Sequence, residues 1–394
     1  MKTRQIISIA FALVLILTGS SLRAQEADTL MKLVLEQNRT LKVAREASHT
    51  AILRAGTGNT PPDPEVEFGY LFGEPTEVGN KINIMVKQQM DFPSSYAHRS
   101  KLKKIRSSQA ELKYLMARQE ILSSARQLWI EQVHLNQLSL LLNERMQQAE
   151  GIKTHVQAMM EVGEVGPLEY SQANLMAASV EGEFDEVQSE LENIRLALLE
   201  MTGGTMVEIS DTLFPEPLFI LEDSLLTAYR TGPGALLHER GQEEKEREKN
   251  LARSQHLPKL SAGYFSEAVT TEAFRGFTLG ISVPLWENSH TVKTAQAAII
   301  QSESELDLYL YEQEKEVKQK MNRLEALHSR VEKLEEALGS ANSLDLLASS
   351  MESGEISLSE YFYTSDFYFR NQQLLLRYKR DLLALEADLL KIYL

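Results

Sequence analysis

The side chains best placed to do chemistry in this 394-residue sequence fall at two corresponding places. One is Met159-Met160-Glu161-Val162-Gly163-Glu164-Val165. The other is Met351-Glu352-Ser353-Gly354-Glu355-Ile356, with Glu360 and Asp366 close behind. Methionine thioethers suit soft ions such as Cu(I) or Ag(I), but methionines beside a turn serve equally as packing filler. The eight histidines show no ligand spacing, and there is no cysteine to act as nucleophile, thiolate ligand or disulfide partner. No Gly-x-Ser-x-Gly or His-Glu-x-x-His motif occurs, and Gly56-Thr57-Gly58 lacks the strand-to-helix setting of a phosphate-cradling loop. Acidic pairs such as Glu335-Glu336 read as the solvated side of a helix. The expectation is a protein that is not an enzyme, with no cofactor and no metal site.

The two places correspond because the chain repeats itself 191 to 194 positions apart. Glu169-Tyr170 returns as Glu360-Tyr361, Pro64 as Pro258, and Gly69-Tyr70 as Gly263-Tyr264. Solenoid units run about 20 to 50 residues, so a period this long means one structural half duplicated. The expected organisation is a signal at 1–24, a first repeat at 25–210 and a second at 211–394. The first holds a helix, a β-hairpin at 64–92 and a long helical hairpin at 97–201. The second holds a helix, a β-hairpin at 258–284 and a long helical hairpin at 291–394.

Periodicity carries that plan. Leu30, Leu33, Val34, Leu41 and Ala44 share one helical face between Asp28 and Ala55. Val66, Phe68, Tyr70 and Phe72 alternate with polar neighbours, as do Ile82, Ile84 and Val86, then Leu260, Ala262 and Tyr264, then Phe277, Leu279, Ile281 and Val283. Pro93 and Pro284 close the two hairpins. Tyr114, Ile121, Leu128, Leu135, Leu142 and Ala149 then recur every seven residues, as do Leu310, Val317, Leu324, Val331 and Leu338. That spacing is coiled-coil packing. A helix from Ala97 to Met160 would be roughly 96 Å long, more than a compact core can use.

Lys2 and Arg4, the apolar run Ile6–Leu17 and the small residues before Ala24 have the layout of a cleavable export signal. With no cysteine, no lipid can be attached behind it. The net charge of −15 disfavours nucleic acid and anionic surfaces as partners. Strands of about 9 to 11 residues cross a bilayer when tilted. Four of them leave bare edges that lipid does not tolerate, so closure requires several copies, and three would supply twelve strands.

The export signal, the repeated helix–hairpin–long-helix plan, Pro93 and Pro284, and the Gly-Glu turns at Gly163 and Gly354 together resemble the TolC-like outer-membrane efflux protein family. The similarity covers nearly all of the mature chain and leans toward the subgroup working with heavy-metal efflux pumps. It implies a mainly α fold with membrane β: a homotrimer with a twelve-strand barrel in outer-membrane lipid, continuous with a periplasmic α-helical coiled-coil barrel. The implied partners are a periplasmic adaptor and an inner-membrane pump, and the implied role is a passive exit duct. The resemblance also implies an acidic constriction after the second turn, matched here by Glu360, with Glu355 and Asp366. Three-fold carboxylates in a narrow pore concentrate cations and raise one another's pKa. The basic residue that some members carry two positions after this glycine is Ile356 here. Adaptor docking would fall on the tip turns, Gly163, Glu164, Val165, Leu168, Gly354, Ile356 and Leu358, whose apolar members can grip a helix. Two other classes stay open: a soluble periplasmic coiled-coil adaptor or scaffold, and an exported enzyme.

Overall fold

The computed structural model describes residues 25–75, 79–269, 272–339 and 343–394. The expected signal at 1–24 lies outside these residues. Helices α1 (Gln25–Gln37) and α2 (Arg39–Ala55) lead to strands β1 (Glu65–Leu71) and β2 (Lys81–Met90), then α3 (Pro93–Glu161) and α4 (Pro167–Met201). After an irregular stretch come α5 (Glu222–Thr231), α6 (Pro233–Ser254), β3 (Lys259–Val269) and β4 (Glu272–Ser282). The chain ends with α7 (Thr291–Gly339), α8 (Ser343–Glu352), α9 (Leu358–Leu390) and one 3-10 turn (Lys391–Tyr393). At 69 residues, α3 runs for about 100 Å.

Where the continuous pattern of the sequence is interrupted, a cap explains it. The helix expected from Asp28 to Ala55 is two helices, because the Asn38 side-chain oxygen accepts the Leu41 N–H (2.8 Å) and starts α2. Its amide donates to the Met201 carbonyl (2.9 Å), a partner 163 residues away. Gly232 as N-cap and Pro233 at the first helical position separate α5 from α6.

The chain divides into two compact units, each drawing on both halves of the sequence. One comprises the chain up to Lys42, Ala117–Ala228 and Glu314–Leu394. Here α4 buries Ala173, Ala177, Val180, Val187, Leu191 and Leu198, a coiled-coil face. Leu135 and Leu142 of α3 pack against Val187 and Leu191, and Ala149 packs against Ala177 and Val180. Trp129 joins Leu30, Val34, Val133, Leu198 and Leu383 in the largest cluster. On α7, Val317, Leu324, Leu327 and Val331 are buried.

Titratable groups are buried in this unit, His134 among them. His134 has its pKa lowered to about 4, first by burial and then by Arg380 and Arg377. The folded value lies below the ordinary 6.5, so the neutral imidazole contributes fully above pH 6.5. That contribution is lost as pH falls from 6.5 toward 4. His134→Gln should flatten the stability profile in that window by up to about 3 kcal/mol. Urea unfolding at pH 7 and pH 4.5 measures it, and equal acid sensitivity in the variant would refute it.

The other unit, Val43–Met116 and Tyr229–Gln313, contains all four strands. They form one antiparallel sheet in the order β1-β2-β3-β4. The two hairpins are joined through β2 and β3, with Val86 opposite Tyr264 and Met90 opposite Leu260. The register aligns Val66, Val86, Tyr264 and Phe277 across the sheet on one face, with Phe68, Ile84, Ala262, Leu279, Leu260 and Ile281 on the same side. Glu65, Glu67, Asn83, Lys87, Ser261 and Thr278 occupy the opposite face. Phe277 and Leu279 are each 88% exposed, so the apolar face lies open. The outer margins of β1 and β4 carry no strand among the described residues.

Candidate functional site

The two turns that carry the candidate residues are built alike. After α3, the Gly163 N–H donates to the Met160 carbonyl (3.1 Å) and the Glu164 N–H to the Met159 carbonyl (2.9 Å). After α8, Gly354 donates to Met351 (3.0 Å) and Glu355 to Ser350 (2.8 Å). Both are Schellman closures, with the glycines at φ +80° and +75°. Nothing lies within 4 Å of a Cβ placed on either glycine, so the requirement is backbone conformation alone. Gly163→Ala and Gly354→Ala should each cost about 1 kcal/mol in thermal or urea unfolding. An unchanged midpoint would refute this.

Each turn leads into a capped helix. Glu169, third in α4, accepts the Gly166 N–H (3.1 Å), and Pro167 occupies the first position. Glu360, third in α9, uses its backbone N–H to donate to the Ser357 hydroxyl (3.2 Å). Its exposed carboxylate lies at the positive end of the α9 dipole. The Ser359 hydroxyl donates to the Gln172 side chain (3.3 Å), which brings the starts of α4 and α9 together within this unit. Glu355 is exposed too and accepts from the Ser350 hydroxyl (3.2 Å).

Asp366 is placed differently. Its oxygens meet Arg145 of α3 (2.7 Å) and Arg370 (2.7 Å). Arg145 is 5% exposed, also reaches Glu183 of α4 (3.3 Å) and lies 5.2 Å from the centre of the Phe369 ring. Gln373 donates to the same Glu183 (3.2 Å). Arg145, with Asp366 and Glu183, therefore ties α3, α4 and α9 together. Sequence periodicity did not single out Arg145, Glu183 or Phe369. The available signal was a long cation three residues past the seam position Leu142.

The apolar candidates divide. Val165, Ile356 and Leu358 are half-buried, whereas Leu168 is 69% exposed. The structure also leaves open Val162, Leu175, Tyr363 and Phe367, none of them singled out from sequence. Leu168 and Leu175 are seven residues apart, and Tyr363 and Phe367 four, so each pair lies on one helical face. Met159 and Met160 supply carbonyls to one turn and Met351 to the other. No group of three or more His, Asp or Glu able to hold a metal ion occurs among the described residues, and no described helix is long and apolar enough to cross a membrane.

No protein-family model matches the sequence, and no curated protein matches it significantly. Solved structures do match. A structure of CusC, from work on its folding and transmembrane channel formation, superposes with a TM-score of 0.79 at 16% identity, covering 93% of this chain and 92% of that one. The CmeC outer membrane channel of Campylobacter jejuni gives 0.79 at 17% identity over 93% and 85%. The outer membrane protein VceC of Vibrio cholerae gives 0.76 at 17% over 94% and 95%. The resemblance to TolC-like efflux proteins drawn from the sequence holds at the level of the fold: this chain folds as these outer-membrane channel proteins do.

Proposed function

We propose that the protein is the outer-membrane exit duct of a tripartite efflux system, a homotrimer that passively conducts what an inner-membrane pump expels through a periplasmic adaptor. The observation that carries this reading is the four-stranded sheet with an open apolar face, an opposing polar face and two bare margins. In water such a face is a liability; in lipid it is a requirement. Three copies would close a twelve-strand barrel in the outer membrane, with the long helices forming a periplasmic barrel below it. The halves 25–210 and 211–394 are read as a duplication, supported by the matching element order and the two identical turns. The exposed Leu168, Leu175, Tyr363 and Phe367 are read as faces covered by neighbouring copies or by the adaptor. Kinship with heavy-metal systems rests on the sequence resemblance and the likeness to CusC.

A soluble periplasmic adaptor fits less well, because an open apolar sheet has no use there. Membrane fractionation separates the two readings. A heat-sensitive oligomer in the detergent-extracted outer membrane is expected, and a soluble periplasmic monomer would remove the duct.

Glu360 is proposed as the gate acid, with Glu355 beside it. Glu360→Ala removes both bulk and charge from a three-fold constriction. It should raise single-channel conductance or cation leak by about twofold in planar bilayers. Conductance and selectivity equal to the parent would take Glu360 out of the gate.

A further inference from the structure

A small polar cavity in the strand-bearing unit has a composition that the duct reading does not use. It measures about 160 Å³ and lies where β2 ends, β3 begins and the segment after β4 passes. Two opposite-charge pairs line it: Asp91 with Arg99 (2.6 Å) and Lys259 with Glu287 (3.0 Å). Its floor holds the buried hydroxyls of Ser95 and Ser254, 2.9 Å apart and 1% and 5% exposed. The frame is braced. The Asp91 N–H donates to the Tyr96 hydroxyl (3.0 Å), the Arg99 guanidinium lies 5.4 Å from the Tyr96 ring centre, and the Asn288 amide donates to the Gln255 carbonyl (2.6 Å).

Exposed apolar side chains adjoin this polar lining. Phe92 and Leu257 line it and are 37% and 39% exposed; Leu285 and Trp286, next to Glu287, are 74% and 79% exposed. The apolar sheet face ends at the same level, with Met90 opposite Leu260 and Leu260 opposite Ile281. A polar pocket carrying both signs of charge, rimmed by hydrocarbon at the foot of a lipid-facing sheet, matches a zwitterionic amphiphile.

We propose that this cavity binds the headgroup of a zwitterionic phospholipid, phosphatidylethanolamine in chemistry, from the leaflet facing the helices. Arg99 and Lys259 take the phosphate through charge-assisted hydrogen bonds. Asp91 and Glu287 take the ammonium, and the acyl chains lie along Trp286, Leu285 and the sheet. The existing pairs exchange partners, so neither charge is stranded on binding. An anionic headgroup such as glycerol phosphate would satisfy the cations but meet the two carboxylates unpaired.

The inference rests on the sheet facing lipid, and its test does not depend on where the chain fractionates. The sequence has two tryptophans. Trp129 is 3% exposed, so a change in emission on binding reports Trp286. The full chain in detergent, stripped of lipid, is titrated with short-chain phosphatidylethanolamine below its micelle threshold. A saturable blue shift is expected, with a midpoint at least about tenfold lower than for short-chain phosphatidylglycerol. Glu287→Gln alters a side chain that is 60% exposed. It should erase that preference by weakening phosphatidylethanolamine and, with one unpaired carboxylate fewer, tightening phosphatidylglycerol, while Arg99→Gln should weaken both lipids, with circular dichroism confirming the fold. Equal midpoints for the two lipids, or no effect of Glu287→Gln, overturn the proposal. So does free phosphoethanolamine binding as tightly as the lipid, which would assign the pocket to a soluble zwitterion.

Discussion

Leu279→Arg should deplete the chain from the outer membrane, whereas Thr278→Arg, one residue away, should leave it there. Leu279 lies in the apolar stripe of β4 opposite Ala262 and is 88% exposed. Thr278 belongs to the opposite face, opposite Gly263. An arginine on the lipid side of a barrel costs about 2–4 kcal/mol near the midplane. In a trimer the cost is incurred three times, about 6–12 kcal/mol, comparable to the whole stability of a typical protein. On the polar face the same residue sees water. The contrast is specific to membrane residence, because a soluble protein with an open sheet tolerates arginine equally well on either face. Quantitative fractionation of the two variants decides it, and equal partitioning would end the barrel reading.

Asp366→Ala should cost about 2–3 kcal/mol, more than any other acid beside the turns. It removes the 2.7 Å partner of an arginine that is 5% exposed, leaving only Glu183 at 3.3 Å and the ring of Phe369. Breaking one side of a fully buried pair costs about 3–5 kcal/mol. The partial exposure of Asp366 and the second acid reduce that figure. Arg145→Met combined with Asp366→Ala should recover stability relative to Asp366→Ala alone, because the buried charge then goes as well. Glu360→Ala, on an exposed carboxylate at a helix start, should fall within about 1 kcal/mol. The comparison separates tie from gate. If Asp366→Ala unfolds at the same denaturant concentration as the parent, Asp366 is no tie and returns to the gate candidates.

The parts legible from sequence are those set by local periodicity. The strands were readable because Phe277, Leu279 and Ile281 alternate with Thr278 and Gly280, a period-two pattern visible without any tertiary partner. The α3 seam was readable for the same reason at Leu135, Leu142 and Ala149. The equally regular face of α4, from Ala173 through Val180 and Val187 to Leu198, is harder to see in the sequence because alanines fill two of its six positions. The break at Asn38 needed more, since its amide is satisfied only by Met201, far along the chain. Pairing of β2 with β3 is likewise non-local, and alternation alone does not say which strand of one hairpin meets which of the other. At the turns, the glycines were legible because a positive φ selects them. The division of the three acids was not, because the buried partner that sets Asp366 apart from Glu360, Arg145, lies on another helix.

The bare margins of β1 and β4 have a consequence for biogenesis. No described element of one chain covers them, so on the trimeric-duct reading proposed above a newly exported copy must meet others before its hydrogen-bonding edges and oily face are safe. Maturation is then a collision-limited step whose yield depends on how many copies are present at once. Scarce synthesis leaves single copies waiting, exposed to proteases and to wrong pairings.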